Sequence, residues 1–505
     1  MSTDRRTSFC SPAGVAGRLA ALVLTGVLAG CGGDAAPDAP DGPPTPAPRT
    51  AKGVILFCVD TLRADHLSCY GYERRTSPNI DAWAAGGTRW ARAYSQGSWT
   101  RPSMLSMMTG LYLSDHAEIL PRSQPTIAEI VSEGGVQTGA FVANVVLSKD
   151  RGFERGFDHF EMHRDRTAGV LVDHFEAWHT EIDQERPWFA WIHAYDPHSP
   201  YSAPHGDRVY AWNDEIPRQE PWMKRWSNQA DMLEERYDQL ELRKDRLTAF
   251  RWMRENVNEY DNEIHSVDLA FGRLLDHLDQ LGVRDDVVIL LVADHGEMLF
   301  EYPEYDSLIR RKGRRHEGGL DNGLGDFFML GHDGYFYQPT WRVPFIASGP
   351  GFEAGVVRRE LGSNLDVFPT IVTAFGLEPP SVLDGVPTQA DRYAGPDAVF
   401  GWSLGAAAMV ETDGVWAVRT EDRLSDHYVE MDEHYFELVE PGDGLVERRL
   451  GVARRERLAR MAARIRAWRA STRFEHLRGQ SAEDLEALRE LGYLDDLIDA
   501  RDEGD

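Results

Sequence analysis

Basic residues are scarce in this chain of 505 residues, where 54 lysines and arginines stand against 82 aspartates and glutamates. The formal net charge of −28 argues against nucleic acid as a partner, because a phosphate backbone attracts basic surfaces and repels acidic ones. An acidic protein that acts on an anionic substrate needs a local source of positive charge. Bound metal ions are the obvious source.

Cysteine and long apolar runs are also scarce. Four cysteines are present, and if Cys31 is modified as described below, only Cys58 and Cys69 are left beyond the N-terminal segment. Two cysteines allow one bridge at most and leave open whether they pair. No apolar run after Cys31 has the ~20 residues needed to span a bilayer. The hydrophobic content of 42% is nevertheless enough for a large buried core.

The N-terminus has the pattern of an export signal. Basic residues precede an apolar run at residues 19–28, and Leu28-Ala29-Gly30-Cys31 resembles the bacterial lipobox. We therefore expect residues 1–31 to be a lipoprotein signal peptide, with Cys31 as the lipidated N-terminus that anchors an exported protein to the cell envelope, at the periplasmic face or the outer membrane. An ordinary signal peptide with an incidental cysteine is the alternative. Residues 32–52, rich in Pro, Ala and Asp, read as an extended tether.

Beyond the tether, apolar strand-like runs alternate with amphipathic helical segments, which predicts an α/β fold with a mainly parallel central sheet between helices. Three of the runs, at residues 54–59, 188–195 and 287–293, end directly before Asp60, Asp196 and Asp294. Ligands of open α/β sheets bind outside the carboxyl ends of the strands, so the three aspartates are expected to meet in one crevice. A simple turn or helix cap is the alternative for each of them.

Further segments complete the predicted organisation. Helices are expected at residues 257–281, before Gly282, and at residues 365–375. The predicted catalytic domain spans residues 53–397, and residues 398–505 form a smaller C-terminal subdomain with short strands. This subdomain includes a basic helix, for which a solvated or packed face is favoured over membrane binding, and a final docking helix. These last two segments are predicted at residues 454–468 and 481–493.

Two local motifs contain candidate metal-binding and nucleophilic residues. Asp294-His295 follows a buried run and offers the oxygen and nitrogen ligands that zinc or a similar ion accepts. Thr100 is predicted as the N-cap of a short apolar helix that ends at Gly110. A hydroxyl there meets the positive end of the helix dipole, and metal coordination would make it a nucleophile.

Together these pieces resemble the sulfatase-like branch of the alkaline phosphatase superfamily over nearly the whole chain after the signal peptide. The matching segments are Asp60-Thr-Leu-Arg-Ala-Asp, Thr76-Ser-Pro-Asn-Ile-Asp, Met108-Thr-Gly, Asp196-Pro-His-Ser-Pro-Tyr, Asp294-His-Gly-Glu, Gly331-His-Asp-Gly, Arg342-Val-Pro, Asp366-Val-Phe-Pro-Thr and Leu488-Arg-Glu-Leu-Gly-Tyr-Leu.

The resemblance implies a metal-dependent ester hydrolase. By it, Asp60, Thr100, Asp294 and His295 correspond to ligands of a primary metal ion, and Thr100 is also the nucleophile. His198 and His332 match positions that bind a second metal or the anionic group of the substrate, although each could be an ordinary loop residue.

Weaker candidates accompany this set. Asp196 is expected to contact substrate, to bind metal or to orient His198. Asn144 is a candidate for substrate binding, and Lys312 is weaker still. His193 lies inside a strand, which favours a structural role.

One departure from the family pattern concerns the nucleophile. Sulfatases generally carry Cys or Ser there, followed by x-Pro-x-Arg, and oxidise that side chain to formylglycine. Here Thr100 cannot give formylglycine, and Met104 replaces the arginine. A direct threonine nucleophile resembles the phosphodiesterase and phosphoethanolamine-transferase branches. Zinc is the expected ion, since histidines are present, with manganese or calcium as alternatives.

The leading hypothesis is therefore hydrolysis of a phosphate monoester or diester carried by a small molecule, glycan or lipid. Sulfate-ester hydrolysis without formylglycine and phospho-group transfer are enzymatic alternatives. A lipid-anchored binding protein that has lost turnover is the alternative outside enzymes. The sequence does not name the natural substrate or the oligomeric state.

Overall fold

The structure is a computed structural model of the chain. It describes residues 50–113, 119–164, 167–212, 214, 246–299, 330–332, 336–389, 393–403, 406–412, 415–420, 434–439, 446–449 and 455–470. The predicted signal peptide, nearly all of the tether, Lys312 and the predicted helix at residues 481–493 lie outside these ranges.

The fold centres on a mixed nine-stranded sheet. Its strands are β1 (Gly53–Val59), β2 (Thr88–Tyr94), β3 (Gln137–Val142), β4 (His159–Met162), β5 (Trp188–Ala194), β6 (Val287–Ala293), β9 (Arg342–Val343), β10 (Phe345–Ser348) and β11 (Val356–Ser363). They run in the order β11-β2-β10-β6-β1-β5-β3-β4, with β9 paired to β2. Every neighbouring pair along this order is parallel except the two that involve β10. The predicted α/β class with a mainly parallel sheet is confirmed.

Helices surround this sheet, and small strands lie outside it. The helices are α1 (Pro78–Ala85), α2 (Thr100–Thr109), α3 (Ile127–Glu133), α4 (Ala168–Glu181), α5 (Arg246–Gln280), α6 (Gln338–Trp341), α7 (Val367–Ala374) and α8 (Arg455–Arg469). The remaining strands are β7 (Met298–Leu299), β8 (Leu330–Gly331), β12 (Ala398–Ser403), β13 (Ala406–Glu411), β14 (Val415–Thr420), β15 (His434–Val439) and β16 (Val446–Arg449).

Three central strands fix the position of the site. β1, β5 and β6 are buried along their whole length, as expected for parallel strands that are covered on both faces. Gly53 of β1 pairs in register with both Trp188 and Val287, so the three strands begin and end level with one another. The residues that follow these strands therefore leave the sheet at the same end, where the crevice is expected.

Several boundaries differ from those expected. The helix predicted at residues 257–281 begins earlier, at Arg246. At residues 342–348, Pro344 separates the short strands β9 and β10, because it lacks the N–H that a continuous ladder requires. The helix predicted from residue 365 opens with a 3₁₀ turn at Asn364–Asp366, and its α-helical part is α7.

A second sheet of order β12-β13-β14-β15-β16 carries the C-terminal part of the chain. Helix α8 packs on it through Met461 and Ile465, which are fully buried with Trp402 and Met409. The apolar side of this basic helix is thus covered by protein. Among the described residues, no helix combines the length and apolarity required to cross a membrane. Cys58 and Cys69 are both unpaired.

Candidate active site

Two aspartates follow the neighbouring central strands and face one another. Asp60 and Asp294 come directly after β1 and β6, and both side chains are fully buried. Asp294 Oδ1 accepts hydrogen bonds from the backbone N–H groups of Thr61, at 3.2 Å, and His295, at 2.8 Å. These two bonds hold one carboxylate oxygen in place and leave Oδ2 directed at the other polar groups.

Thr61 has a backbone conformation that its side chain disfavours. Its φ of +57° lies in the left-handed region, which β-branched residues rarely adopt. The hydroxyl of Tyr260 donates to the Thr61 carbonyl at 2.7 Å, while the Thr61 N–H donates to Asp294. Backbone strain of this kind persists where the surrounding structure holds it, and it clusters at functional sites. Sequence reasoning did not single out Thr61, since no local pattern signals a positive φ at threonine.

His295 presents a lone pair to the site. Its Nδ1 lies 2.9 Å from the carbonyl of Gly296, which can only accept, so Nδ1 carries the proton and Nε2 does not. Burial, together with the nearby His332, lowers the pKa of His295 to about 3. The ring is therefore neutral at physiological pH. Nε2 lies 3.4 Å from Asp60 Oδ1 and 3.6 Å from Asp294 Oδ2.

Thr100 lies among these groups at the start of α2. Its Oγ1 is 3.3 Å from His295 Nε2 and 3.4 Å from Asp60 Oδ2. The prediction that Thr100 is the N-cap is wrong: Trp99 occupies that position with extended backbone, and Thr100 is the first helical residue. The Thr100 side chain consequently makes no capping bond and is directed at the carboxylates. The helix does end at Gly110, whose φ is +67°.

Asn144 completes the surroundings of the hydroxyl. It precedes a 3₁₀ turn, where its Oδ1 accepts the N–H of Val146 at 2.9 Å. This bond orients the amide so that Nδ2 donates to Asp60 Oδ2 at 2.6 Å and lies 3.3 Å from Thr100 Oγ1. Asn144 thus links the carboxylate and the hydroxyl directly.

The site contains buried polar atoms without partners, and this observation bears on metal binding. Asp60 Oδ1, Asp294 Oδ2 and both ring nitrogens of His193 have no hydrogen-bond partner within the described residues. One ligand atom each from Asp60, His193 and Asp294 lies within 4.8 Å of the others. Two carboxylates with a facing imidazole match the ligands of a divalent ion, whose binding would satisfy these atoms. The residues therefore fit the expected metal.

His193 enters this cluster although its position in a strand had favoured a structural role. It is the sixth residue of β5, and its Nε2 lies 3.6 Å from Asp294 Oδ2. Strand register brings it there, since it pairs with Cys58 of β1, two residues before Asp60. Burial raises the pKa of the Cys58 thiol, and the negative charges of the nearby Asp294 and Asp60 carboxylates raise it further.

Two further predicted histidines lie along one side of His295. The His332 ring centroid is 4.3 Å from that of His295 and 5.1 Å from that of His198. His332 Nδ1 donates to Glu297 Oε1 at 3.1 Å, and His198 Nδ1 donates to the carbonyl of Ser199 at 2.6 Å. The ring of His198 therefore carries its lone pair on Nε2. Glu297, fully buried, was missed as a separate contributor although it belongs to the Asp294-His-Gly-Glu motif.

Asp196 has another environment. Its Oδ2 accepts the N–H of Ala168 at 2.8 Å and so caps the first turn of α4. Its other close neighbour is the buried Glu263 of α5. Burial raises the pKa of Asp196 to about 6, with a smaller contribution from Asp207, and burial together with the charge of Asp196 raises the pKa of Glu263 to about 8. The described contacts of Asp196 include neither Asp60 nor Asp294, and its next-but-one neighbour His198 is the residue that approaches the site.

The position at which sulfatases generally carry an arginine is occupied here by a buried methionine. Met104 is fully buried one turn after Thr100 in α2. The thiol of Cys58 donates to its Sδ at 3.9 Å. The hydroxyl of Ser103 donates to the Asp294 carbonyl, which ties α2 to the end of β6. Next to Thr100, helix α2 therefore contacts β1 and the end of β6 through the thioether of Met104 and the hydroxyl of Ser103.

The sequence profile named Sulfatase matches residues 52–377, so this chain, with its doubly covered sheet and its cluster of carboxylates and imidazoles at the strand ends, belongs to the sulfatase family. N-acetylgalactosamine-6-sulfatase of Rattus norvegicus is 24% identical over 66% of this chain and 64% of its own length. Arylsulfatase A of Homo sapiens is 23% identical over 66% of each chain. The chain thus spans slightly less than two thirds of the length of these relatives.

Solved structures show the same fold. A phosphonate monoester hydrolase from Silicibacter pomeroyi aligns with a TM-score of 0.57 and 19% identity, covering 83% of this chain and 95% of that protein. A protein solved with its substrate D-glucosamine-2-N,6-O-disulfate aligns with a TM-score of 0.56 and 16% identity, covering 77% of this chain and 91% of that protein.

Proposed function

We propose that this protein is a metal-dependent ester hydrolase that cleaves a phosphate monoester or diester through Thr100. The observation that carries the proposal is the position of the Thr100 hydroxyl, within 3.4 Å of Asp60 and within 3.3 Å of both His295 and Asn144. A buried hydroxyl held between two acceptors and one amide donor is arranged for nucleophilic attack. Membership of the sulfatase family supports ester hydrolysis as the reaction type.

The expected metal would be held by this chain's own buried ligands. We assign Asp60, Asp294, His295 and Thr100 to it and add His193, whose ring nitrogens lack partners among the described groups. A divalent ion bound there would supply fixed positive charge that lowers the cost of deprotonating the Thr100 hydroxyl. Mixed carboxylate and imidazole ligands favour zinc, with manganese and calcium as alternatives.

Each side chain of the site has its own role in the proposed reaction. Thr100 Oγ1 forms a bond to phosphorus while the bond from phosphorus to the leaving alcohol breaks, and water later cleaves the Thr100 ester and restores the hydroxyl. Asp60 Oδ2 accepts the Thr100 hydroxyl proton, and the leaving alcohol takes up a proton from water; the lone pair of His295 Nε2 is the one assigned to the metal. Asn144 fixes Oγ1 and Asp60 relative to each other. His198 and His332 would bind a second metal ion or, when protonated at Nε2, donate to the anionic group of the substrate, and the start of α2 adds the positive end of a helix dipole.

The preference for phosphate over sulfate rests on Thr100 and Met104. A threonine that acts directly needs no arginine beside it, and Met104 packs against Cys58 in the core. Sulfate-ester hydrolysis is the second candidate, favoured by the curated relatives, which are sulfatases.

A paired assay separates the two candidates. The purified protein is compared on bis(4-nitrophenyl) phosphate, 4-nitrophenyl phosphate and 4-nitrophenyl sulfate, with zinc, manganese or calcium added. We expect a phosphate ester to give the highest kcat/KM. Faster turnover of 4-nitrophenyl sulfate than of either phosphate ester would favour sulfate-ester hydrolysis instead. No turnover of any substrate with any added metal would favour a binding protein.

We also propose that the protein is exported and held at the cell envelope by a lipid on Cys31. The support is the Leu-Ala-Gly-Cys sequence after a basic and then apolar N-terminal segment. Cys31→Ala in the full chain is expected to abolish labelling by a fatty-acid probe and to release the protein from the membrane fraction. Unchanged labelling of the Cys31→Ala variant would contradict the proposal.

A further inference from the structure

A second cluster of potential metal ligands lies at the edge of the central sheet, away from the strand ends that carry the candidate active site. β4 is the last strand of the sheet and carries His159 and Glu161 at alternating positions, and His163 continues the alternation directly after the strand. Alternating residues of an extended segment project to the same face. His174, from the second turn of α4, faces them.

One carboxylate joins the histidines. Glu161 Oε2 lies 2.7 Å from His163 Nε2 and 2.8 Å from His174 Nδ1, while Oε1 lies 2.7 Å from His159 Nε2. The His163 and His174 rings are 3.9 Å apart between centroids. Two imidazoles this close can both present a nitrogen to one ion.

The cluster is accessible to solvent. All four side chains are partly exposed, with exposed fractions from 19% for His163 to 42% for His174, so an ion can enter from solvent.

The separations allow a metal ion after a small rearrangement. One ligand atom each from Glu161, His163 and His174 lies within 4.8 Å of the others. Tetrahedral ligands at zinc-like bond lengths are about 3.3–3.5 Å apart, so the two short contacts to Glu161 need to open by about 0.6 Å. Rotation of half-exposed side chains provides this without moving the backbone.

We propose that Glu161, His163 and His174 form a second binding site for a divalent transition metal ion, with His159 orienting the carboxylate through its other oxygen. Two imidazoles and a carboxylate favour zinc, nickel or cobalt over calcium or magnesium. The ion links the edge strand β4 to helix α4. Its coordination is completed by water or by an external ligand, since the chain supplies three ligand atoms within the described cluster.

Metal counting on the full protein tests the site. The protein is stripped with a chelator, dialysed against zinc and measured for bound zinc per chain. The variants are His163→Ala/His174→Ala, Glu161→Gln, Asp294→Asn for the candidate active site, and His205→Ala as a control at an exposed histidine. We expect the double variant to bind one zinc fewer than the wild type, and Glu161→Gln to bind that ion at least about tenfold more weakly.

The comparison separates this proposal from the proposed function. Loss of one zinc in the double variant, with that same zinc retained in Asp294→Asn and His205→Ala, supports the second site whatever happens at the active site. Equal zinc content in the wild type and in both cluster variants overturns it. Hydrogen exchange provides an independent readout: zinc is expected to slow exchange of the β4 amides in Asp294→Asn but not in the double variant, and an equal response would also overturn the proposal.

Discussion

Asp294→Asn is expected to stabilise the metal-free protein while removing its response to metal. The change keeps the oxygen that accepts the N–H groups of Thr61 and His295. It replaces the partnerless Oδ2 with an amide nitrogen that can donate to the lone pair of His295 Nε2, 3.6 Å away. A buried acceptor without a partner costs about 1–3 kcal/mol, and the substitution removes that cost together with one of two facing negative charges.

The size of the effect follows from this exchange. We expect the free energy of unfolding without metal to rise by about 1–3 kcal/mol, which corresponds to about 1–4 °C in Tm for a domain of this size. With zinc at a hundred times its Kd, the wild type gains about 2.7 kcal/mol, whereas the variant gains little from the active site. The order of stability is therefore expected to reverse or to become equal when zinc is added.

Thermal and urea unfolding of chelator-treated protein, with and without zinc, provides the assay. Asp268→Asn is a matched control, because Asp268 is equally buried but both of its oxygens accept N–H groups, from Asn79 and Ile80. The amide introduced there faces donors, so the control is expected to lose stability in both conditions. A destabilised Asp294→Asn in the absence of metal, or a wild type unaffected by zinc, manganese and calcium, would refute the reasoning.

Three other variants test the residues around the site. Glu297→Gln is expected to lower kcat/KM about 10–100-fold in steady-state assays, because the carboxylate that orients His332 loses its charge, and unchanged kinetics would contradict this. Asn144→Ala is expected to lower kcat more than it raises KM, since it removes the donor that fixes the nucleophile; a change in KM alone would count against that role. Asp196 and Glu263 have raised pKa values in the folded protein, so the free energy of unfolding should fall as pH rises above the ordinary carboxyl pKa of about 4.3. Glu263→Gln should flatten this decline in urea unfolding measured across pH, and an unchanged slope would show that the pair is not its cause.

The sequence predicted the parts of the fold that depend on local pattern. Uninterrupted apolar runs identified β1, β5 and β6, because parallel strands covered on both faces leave no polar alternation. The rule that ligands bind at the carboxyl ends of such strands identifies Asp60 and Asp294 as candidate site residues.

The remaining parts of the site depend on register and on distant contacts. His193 approaches Asp294 because β5 and β1 are in register, and no pattern within β5 distinguishes it from a core residue. Asp196 follows its strand in the same way as the other aspartates, yet it caps α4, because the N–H of Ala168 lies beside it. The strained φ of Thr61 likewise depends on Tyr260, 199 residues away in the chain.

The central claim, that Thr100 is the nucleophile of a phosphate-ester hydrolase, is tested most directly by Thr100→Ala and Thr100→Ser on matched aryl phosphate and aryl sulfate esters. The account predicts that Thr100→Ala lowers phosphate-ester kcat by on the order of 10³-fold or more, while Thr100→Ser, which keeps the hydroxyl, retains measurable turnover. Acid-quenched wild type should carry a phosphoryl group on the peptide that contains Thr100. Undiminished hydrolysis by Thr100→Ala would contradict the account.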